Sequence, residues 1–240
     1  METINNIAIN TSDWTEVFSA CLGQSIATQT ACGERIVKNS RWSINFPKGT
    51  ITFGKTEYPI QFLGSESKVS NTWLWGWDNI NHFKDEIITL PNTLRDLGTK
   101  WHLRPLTLKE FDLNDTYNGH NLSMVSCVLS GEKLCYYRCM HETGAAFVAF
   151  SGLPDSVFAP VDILNFSSIT AQCIQKFFLN HRIFIKSFLN WNNTPFEETD
   201  DMIIGHFPQD LYVKFKTVES REYIIGISTE RSKLEKDDKI

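Results

Sequence analysis

The sequence has no excess of positive charge. Its 23 Lys and Arg residues against 28 Asp and Glu residues leave a formal net charge of −5, and no stripe of basic residues interrupts that balance. Proteins that bind nucleic acid without regard to its sequence do so by neutralising phosphates with Lys and Arg. The composition therefore argues against a nucleic-acid partner.

A secretory signal and long apolar runs are also absent. Residues 1–6 have neither the basic start nor the apolar stretch of a signal peptide. The most apolar stretch, residues 174–191, is interrupted by polar and charged residues such as Arg182 and Lys186, and at that polarity it does not span a bilayer. We therefore expect a cytoplasmic protein without a membrane partner, in which the six cysteines are reduced thiols.

Signature motifs of several enzyme classes are missing as well. The sequence contains no G-x-S-x-G motif, no phosphate-binding loop, no H-E-x-x-H, no dinucleotide fingerprint and no C-x-x-C pair. These absences lower the expectation of an enzyme without removing it. We therefore assign no catalytic residue and expect no cofactor.

Aromatic residues, by contrast, are plentiful. The chain has 17 Phe and 7 Trp, with 42% hydrophobic and 21% charged residues, which is a globular composition rather than a disordered one. Aromatic side chains give a large contact area from few residues. We expect a folded protein with an aromatic core.

The most distinctive stretch is residues 72–79, T-W-L-W-G-W-D-N, which places Trp73, Trp75 and Trp77 at alternate positions. Successive side chains of a strand point to opposite faces, so an extended conformation puts all three indoles on one face, whereas a helix spreads them around its axis. We predict a strand whose indole face belongs to the core and is covered by a helix. The alternative is that the indoles line a pocket and stack on a planar ligand.

The first part of the chain changes from helical to strand spacing. Asp13 and Glu16 have the spacing of a capping box, and the apolar residues that follow predict a helix over residues 13–37. Short alternating runs separated by turns then predict an antiparallel meander of four strands. Its strands are residues 41–46, 51–53, 58–63 and 73–77.

The middle of the chain is more mixed. Helical spacing runs from Phe83 to Leu97, with a break at Pro91 and an end at Gly98. Residues 99–119 are assigned to a loop. Alternation predicts further strands over residues 124–129, 134–140 and 145–150.

The last part returns to a helix and a hairpin. Ser167 and Ser168 are placed to cap one long helix over residues 168–190, whose apolar side chains form a stripe. His181 lies on that stripe, so we expect a hydrogen-bonded core histidine rather than a metal ligand. Two alternating runs predict a terminal hairpin, and the charged end of the chain is predicted to be disordered. The hairpin strands are residues 211–215 and 223–227, and the tail is residues 229–240.

Together these elements predict an α+β fold. A curved antiparallel sheet, made of the meander and the later hairpins, is packed on one side by two or three helices, among them those over residues 13–37 and 168–190. The predicted domains are a polar lead-in over residues 1–12, one domain over residues 13–228, alternatively two sub-units over about 13–150 and 151–228, and the tail over residues 229–240.

Two blocks of the sequence resemble a bacterial family of unknown function. Its members carry a W-x-W-x-W-x-N strand after a strand that ends in leucine-glycine, as residues 61–65 (QFLGS) and 73–79 (WLWGWDN) do here. Residues 136–139 (YYRC) and 144–147 (GAAF) resemble the second block. The resemblance covers residues 13–150 and implies a fold unit and a bacterial cytosolic setting, without an activity to transfer.

Polar residues near the tryptophans complete a candidate pocket. Arg138 lies in an otherwise apolar strand and needs a carboxylate partner if it is buried; we predict Asp78 as that partner. The alternative is that Arg138, flanked by aromatic residues, binds an anionic ligand. The candidate pocket residues are Trp73, Trp75, Trp77, Asp78, Tyr137 and Arg138.

Cys135, Cys139 and His141 invite two chemical interpretations, a metal site and a thiol nucleophile with a histidine base. On an extended strand the two cysteines lie about 13 Å apart, too far to share a zinc ion with ligand bonds of about 2.0–2.3 Å. A nucleophilic thiol needs a lowered pKa and a base within hydrogen-bond reach, and buried, inert cysteines are commoner. We predict neither a metal site nor a catalytic residue here.

An acidic loop supplies the leading functional hypothesis. Glu197, Glu198, Asp200 and Asp201 form either a solvated turn or a docking patch for a basic partner. The leading hypothesis is a non-catalytic interaction module of the immunity or accessory type that binds a basic protein. The alternative is a small-molecule-binding domain with a tryptophan-lined pocket, and the third hypothesis is a thiol-dependent enzyme.

Overall fold

The α+β fold is confirmed over residues 2–235, the part of the chain that the computed structural model describes. The predicted first helix is also confirmed, and a π-helical turn over Gly33–Val37 continues it. None of the helices in the described part combines the length and apolar character that a membrane crossing requires. The helices are α1 (Trp14–Cys32), α2 (Thr89–Trp101), α3 (Arg104–Thr107), α4 (Gly119–Leu129), α5 (Ile163–Lys176), α6 (His181–Trp191) and α7 (Arg231–Glu235).

All the paired strands are antiparallel. In chain order they are β1 (Thr3–Ile4), β2 (Ile7–Ala8), β3 (Trp42–Asn45), β4 (Thr50–Phe53), β5 (Thr56–Ser67), β6 (Thr72–Trp75), β7 (Glu110–Asp112), β8 (Cys135–His141), β9 (Gly144–Phe150), β10 (Phe196–Glu198), β11 (Met202–His206), β12 (Asp210–Val218) and β13 (Arg221–Ser228).

The chain divides into two compact units, and α1 contributes residues to both. We call the unit made of Thr11–Trp14 and Ser25–Phe158 the tryptophan unit, because it contains the tryptophan strand. We call the other the terminal unit. It consists of the described residues of Met1–Asn10, Thr15–Gln24 and Ala159–Ile240.

The sheet of the tryptophan unit confirms both the meander and its curvature. Strands β3, β4, β5 and β6 are neighbours in chain order, β7 follows β6, and β9 pairs with β5 and β8. Tyr137 on β8 contacts the rings of Trp42 on β3 and Phe53 on β4, with ring centroids 5.3 and 5.0 Å apart. Because β9 and β5 lie between β8 and β4, these contacts require the sheet to curl around an aromatic core.

Helix α1 protects the open edge of this sheet. Among the described residues, β8 has a neighbouring strand on one side, and an unpaired edge is a template for association with other chains. The side-chain amide of Gln29 donates to the carbonyl oxygen of Tyr136 at 3.0 Å and its oxygen accepts the N–H of Tyr136 at 2.9 Å. Gln29 thus makes the two hydrogen bonds that another strand would make.

The strand predicted over residues 124–129 is wrong, because this segment belongs to helix α4. The side-chain oxygen of Asn118 accepts the N–H of Asn121 at 3.0 Å and so caps the helix. A short apolar run does not distinguish a buried helix from a buried strand. The predicted loop over residues 99–119 likewise contains the end of α2, the short helix α3 and strand β7.

Helix α2 passes through both of its predicted breaks. Pro91 lies in the first turn, where its missing N–H leaves no hydrogen bond unmade. Gly98 is inside the helix, and His102 ends it in the left-handed conformation, with φ 55°. The break at Pro91 and the end at Gly98 were therefore wrong.

One helix over residues 168–190 is wrong as well, because two helices form. The chain leaves helical conformation at Phe177, and Asn180 starts α6 by accepting the N–H of Ile183 at 3.1 Å. Asp162, instead of the predicted serines, caps α5. Asn and Asp favour such caps because their side chains compete for backbone N–H groups.

Both helices belong to the terminal unit, and α6 packs on β13. Neither helix is therefore part of the unit that holds the meander.

The terminal unit contains the predicted hairpin. Its sheet has the order β10–β11–β12–β13, and β12 and β13 are joined at Glu219 and Ser220, with φ values of 49° and 65°. Positive φ at both turn residues matches the twist of a two-residue hairpin. The hairpin prediction is confirmed.

The two ends of the chain carry more structure than expected. The lead-in, residues 1–12, includes the hairpin of β1 and β2, in which Ile4 and Ile7 are buried. In the tail predicted to be disordered, helix α7 forms and buries Leu234. Residues 236–240 lie outside the described residues.

His181 is a buried, hydrogen-bonded histidine, as predicted. Its Nδ1 accepts the backbone N–H of Ile224 at 3.1 Å, on the strand at the edge of the sheet. Burial lowers the pKa of His181. The neutral imidazole is therefore favoured, and it covers part of an open strand edge.

We expect the terminal unit to lose stability as the pH falls below about 6.5, the ordinary value of a histidine. The pKa of His181 is lower in the folded state, so the unfolded chain binds the proton first and the folded state is disfavoured. His181→Asn keeps an acceptor for the Ile224 N–H without titrating. Urea unfolding at pH 7.5 and 5.5 should show a smaller loss for this variant than for the wild type. His102→Asn, at an exposed position, should behave as wild type, and an equal pH dependence in all three proteins would refute the role of His181.

Candidate functional site

The tryptophan strand is extended only as far as Trp75. Residues Gly76–Asp78 form a 3-10 turn, so the prediction that Trp77 shares a strand face with Trp73 and Trp75 is wrong. A Cβ atom on Gly76 would lie 2.3 Å from the carbonyl oxygen of Phe62. The backbone passes too close to β5 for another residue type, and the chain turns away at that point.

Trp73 and Trp75 are core residues, with 0% and 1% of their surface exposed. The indole N–H of Trp75 donates to the carbonyl oxygen of Pro105 at 2.9 Å. The ring of Trp73 meets those of Trp75 and Phe147 edge to face, at centroid distances of 5.3 and 5.5 Å. The two rings are sealed inside the unit, as the core interpretation of this strand predicted.

The remaining candidate pocket residues do not converge on the tryptophans. Trp77 is half-buried beneath the guanidinium of Arg95, 5.3 Å from its ring centroid. Asp78 lies 3.9 Å from the ammonium of Lys109, so its predicted pairing with Arg138 is wrong. Tyr137 lies on the face of β8 opposite to that of Arg138, and it packs against the aromatic core inside the curl of the sheet.

Arg138 pairs with Glu66 instead. Its Nη2 donates to the Glu66 carboxylate at 3.3 Å, and the other carboxylate oxygen accepts the N–H of Gly119 at 2.7 Å. Gly119 is the first residue of α4, so the carboxylate also faces the positive end of a helix dipole. A Cβ on Gly119 would lie 2.4 Å from the ring of Phe147. Glu66 therefore holds together β5, β8 and α4.

His120 and Tyr136 extend this cluster. The Nδ1 of His120 and the hydroxyl of Tyr136 are 3.0 Å apart. Burial lowers the pKa of His120, an effect that Glu66 opposes and Arg138 reinforces. Burial also raises the pKa of Tyr136. With a neutral imidazole, a neutral phenol and a paired carboxylate, the cluster is suited to bracing α4 against the sheet.

Sequence reasoning missed Glu66 because it placed residues 64–67 in a turn. Strand β5 instead continues to Ser67 and pairs with β9 on one side and β6 on the other. Spacing alone also gave no signal, because the register with β9 shifts between Phe62 and Gly64. This β-bulge places Glu66 on the same face as Arg138 and on the opposite face from Phe62. A carboxylate on a buried strand position requires a partner, and the arginine two strands away supplies it.

The six cysteines are free and buried. Burial raises the pKa of Cys139 to about 12 and that of Cys173 to about 12. The pKa of Cys135 is raised by its hydrogen bond with Cys32 and by burial. Residues 2–235 contain no group of three or more His, Cys, Asp or Glu side chains placed to hold a metal ion. The thiolate that an enzyme nucleophile requires is disfavoured at these positions.

The acidic segment of the terminal unit is partly neutralised. Glu198 accepts hydrogen bonds from Arg182 at 2.9 Å and Lys186 at 2.6 Å. Burial raises the pKa of Glu198, but the hydrogen bonds from Lys186 and Arg182 outweigh it and hold the pKa below its usual range. Glu197, Asp200 and Asp201 remain exposed. Glu198 is thus a structural residue, and the other three carboxylates face solvent.

An open depression adjoins this segment, with a volume of about 360 Å³. Arg182 lines the depression and is held in place, because it also pairs with Glu222 at 2.7 Å and lies 4.5 Å from the ring centroid of Phe215. It further donates to the carbonyl oxygens of Thr199 and Asp200, at 3.1 and 2.7 Å. We call this the acidic depression; its lining is Arg182, Glu198, Thr199, Asp200 and Glu222.

Comparison with known proteins decides the family. The model of DUF6882, a family of unknown function, matches residues 15–153. The chain belongs to this family. Neither the curated proteins nor the solved structures contain a match.

The match to DUF6882 includes some of the features described above and leaves others outside. It covers the tryptophan strand, Glu66 and Arg138, and it ends before the terminal helices. The acidic depression lies in the part of the chain beyond the match. The brace at Glu66 is therefore within the family region, and the acidic depression is not.

Removing the Glu66 carboxylate should destabilise the tryptophan unit. Glu66→Ala leaves the Gly119 N–H and the partly buried Arg138 without this partner, and we expect a loss of about 2–3 kcal/mol in the free energy of unfolding. Glu66→Gln keeps an acceptor and should lose less. Glu57→Ala, at an exposed ion pair, should cost much less than Glu66→Ala, because solvent screens exposed pairs. Urea denaturation measures all three, and equal losses for Glu66→Ala and Glu57→Ala would contradict the brace.

Slow thiol modification is expected of the native protein. At pH 7.5 iodoacetamide should alkylate every cysteine more than about 100-fold more slowly than free cysteine, because each thiol is buried and out of reach of the reagent. In denaturant all six should react. Mass spectrometry follows each site. A single cysteine that reacts as fast as free cysteine in the native protein would revive the thiol-enzyme hypothesis.

Proposed function

We propose that this DUF6882 member is a non-catalytic interaction module that binds a basic protein through its terminal unit, as immunity-type and accessory proteins do. The acidic depression carries the proposal. It combines a concave shape, an excess of negative charge and a fixed arrangement of side chains. These three properties suit the recognition of a lysine or arginine side chain.

Charge is the first support. The depression is lined by three carboxylates, those of Glu198, Asp200 and Glu222, and by the guanidinium of Arg182, and Lys186 also pairs with Glu198. Three negative charges thus face two positive ones. Glu197 and Asp201, both exposed on the adjoining segment, add to the excess. A concave surface of one sign concentrates ions of the other sign and speeds their association.

Rigidity is the second support. Arg182 makes its two ion pairs, its two hydrogen bonds to carbonyl oxygens and its contact with Phe215 at once. The carboxylates of Glu198 and Glu222 are thereby fixed before a partner arrives. A preorganised surface loses little side-chain entropy on binding.

The competing hypotheses have less support. A tryptophan-lined pocket would require access to Trp73 and Trp75, whose rings are buried. A thiol-dependent enzyme would require a thiolate, and burial raises the pKa of Cys139 to about 12. As part of the proposal we retain the bacterial cytosol as the setting and the W-x-W-x-W-x-N strand as the family signature.

Charge reversal at the rim tests the proposal. A photo-cross-linking residue at position 200 should capture one defined partner in cells, which mass spectrometry identifies. The same residue at position 142 should not capture that partner. Glu197→Lys combined with Asp200→Lys should weaken binding of that purified partner about tenfold or more, because each reversal changes an exposed charge interaction by about 0.5–1 kcal/mol. The loss should shrink in high salt.

The matched control is Glu132→Lys with Glu142→Lys, which makes the same charge change at exposed positions of the tryptophan unit. It should leave binding unchanged. Both double variants should unfold at the wild-type urea concentration, since none of the four side chains is buried. Equal binding by the two double variants, or a captured partner with an acidic contact surface, would overturn the proposal.

A further inference from the structure

A second concave site lies in the tryptophan unit, where α3, β7 and the segment before α4 meet. Its volume is about 220 Å³, the liquid share of roughly seven water molecules at about 30 Å³ each. Drug-sized ligand pockets begin near 300 Å³, so this site suits a smaller molecule. We call it the β7 cavity; its lining is Arg104, Pro105, Leu108, Phe111, Asp112 and Tyr117.

The walls of the β7 cavity are fixed by the core beneath them. The Trp75 indole holds the carbonyl of Pro105 at 2.9 Å, and Phe111 is the register partner of Trp73 in the sheet. The backbone of Tyr117 is held by Asn114, whose Oδ1 accepts the Tyr117 N–H at 2.8 Å and whose N–H donates to the Tyr117 carbonyl at 2.9 Å. The tryptophan strand thus supports this cavity from behind.

The lining is apolar with two opposite charges at its rim. Leu108 and Phe111 provide apolar surface, while Arg104 and Asp112 are exposed. Neither the guanidinium of Arg104 nor the carboxylate of Asp112 forms an ion pair within residues 2–235. Two opposite charges beside one cavity that do not pair with each other are available to a ligand that carries both.

Tyr117 adds a neutral donor. Its ring packs edge to face against Trp14 and Phe111, at centroid distances of 5.5 and 6.1 Å. Burial and the charge of Asp13 raise the pKa of its hydroxyl, and Arg104 opposes that rise. The hydroxyl is therefore protonated at neutral pH and can donate to a ligand oxygen.

We propose that the β7 cavity binds a small zwitterion, a free α-amino acid with an apolar side chain. Its carboxylate is bound by Arg104 and the Tyr117 hydroxyl, its ammonium by Asp112, and its side chain by Leu108 and Phe111. A simple anion is repelled by Asp112 and a simple cation by Arg104, so the pair selects a molecule with both charges. This site is independent of the partner-binding surface proposed for the terminal unit.

Titration with L-leucine as the probe tests the proposal. Millimolar leucine should shift the backbone amide NMR signals of Phe111 and Tyr117 in a saturable way. N-acetyl-leucine lacks the ammonium and leucinamide lacks the carboxylate, so each should bind at least about tenfold more weakly, the loss expected for a charged hydrogen bond. Arg104→Gln and Asp112→Asn should each weaken leucine binding by a similar factor.

Two further variants keep the test decisive. Leu108→Trp should abolish binding by filling the cavity while urea unfolding reports a folded protein. Arg41→Gln, at an exposed arginine of the same unit, should bind leucine as the wild type does. Absence of a saturable shift with leucine, or equal affinity for leucine, N-acetyl-leucine and leucinamide, would overturn the proposal.

Discussion

A carboxylate beneath a helix terminus is the constraint on which the tryptophan unit depends. Glu66 accepts one hydrogen bond from the first residue of α4 and another from Arg138. The Nε of Arg138 is buried without a partner among the described residues, so the guanidinium depends strongly on Glu66. Helix α4 is positioned by this contact and packs on β5, β8 and β9. The same face of the sheet contains Trp73 and Phe147, which are fully buried.

Open strand edges pose a common problem in both units, and single side chains solve it. Gln29 satisfies the N–H and carbonyl of Tyr136 on β8, and His181 accepts the N–H of Ile224 on β13. Each side chain comes from a helix and replaces part of a missing strand. Exposed edges promote unwanted pairing with other chains, so these contacts protect the two sheets where their strand order ends.

Local patterns in the sequence were enough for the elements that carry their own signals. The meander, the first helix and the terminal hairpin follow from periodicity and turn residues. The failures share a cause. At Trp77 the strand ends because Gly76 passes against β5, and at Asn118 a cap starts a helix in a run that alternation assigned to a strand. The first outcome depends on a contact with a distant residue and the second on a competing helix cap. Hydrophobic periodicity takes account of neither.

The candidate sites were harder to predict for the same reason. Trp73 and Trp75 are core residues as predicted, while Trp77 is not, and the pairing of Arg138 with Glu66 needed the register of β5, β9 and β8. For the acidic segment, sequence did not distinguish Glu198, which is held by Arg182 and Lys186, from its exposed neighbours. The β7 cavity was missed entirely, because it is formed by residues that had been assigned to a loop.

The boundary of the family match gives the two proposals different scope. The β7 cavity lies within residues 15–153, and the tryptophan strand, which is also within the match, supports the cavity. The acidic depression lies outside the match. Because rigid support without the rim charges does not recognise a zwitterion, other family members should bind such a ligand only where they carry the equivalents of Arg104 and Asp112. Partner binding, by contrast, depends on the terminal unit, and the tryptophan motif by itself gives no reason to expect it.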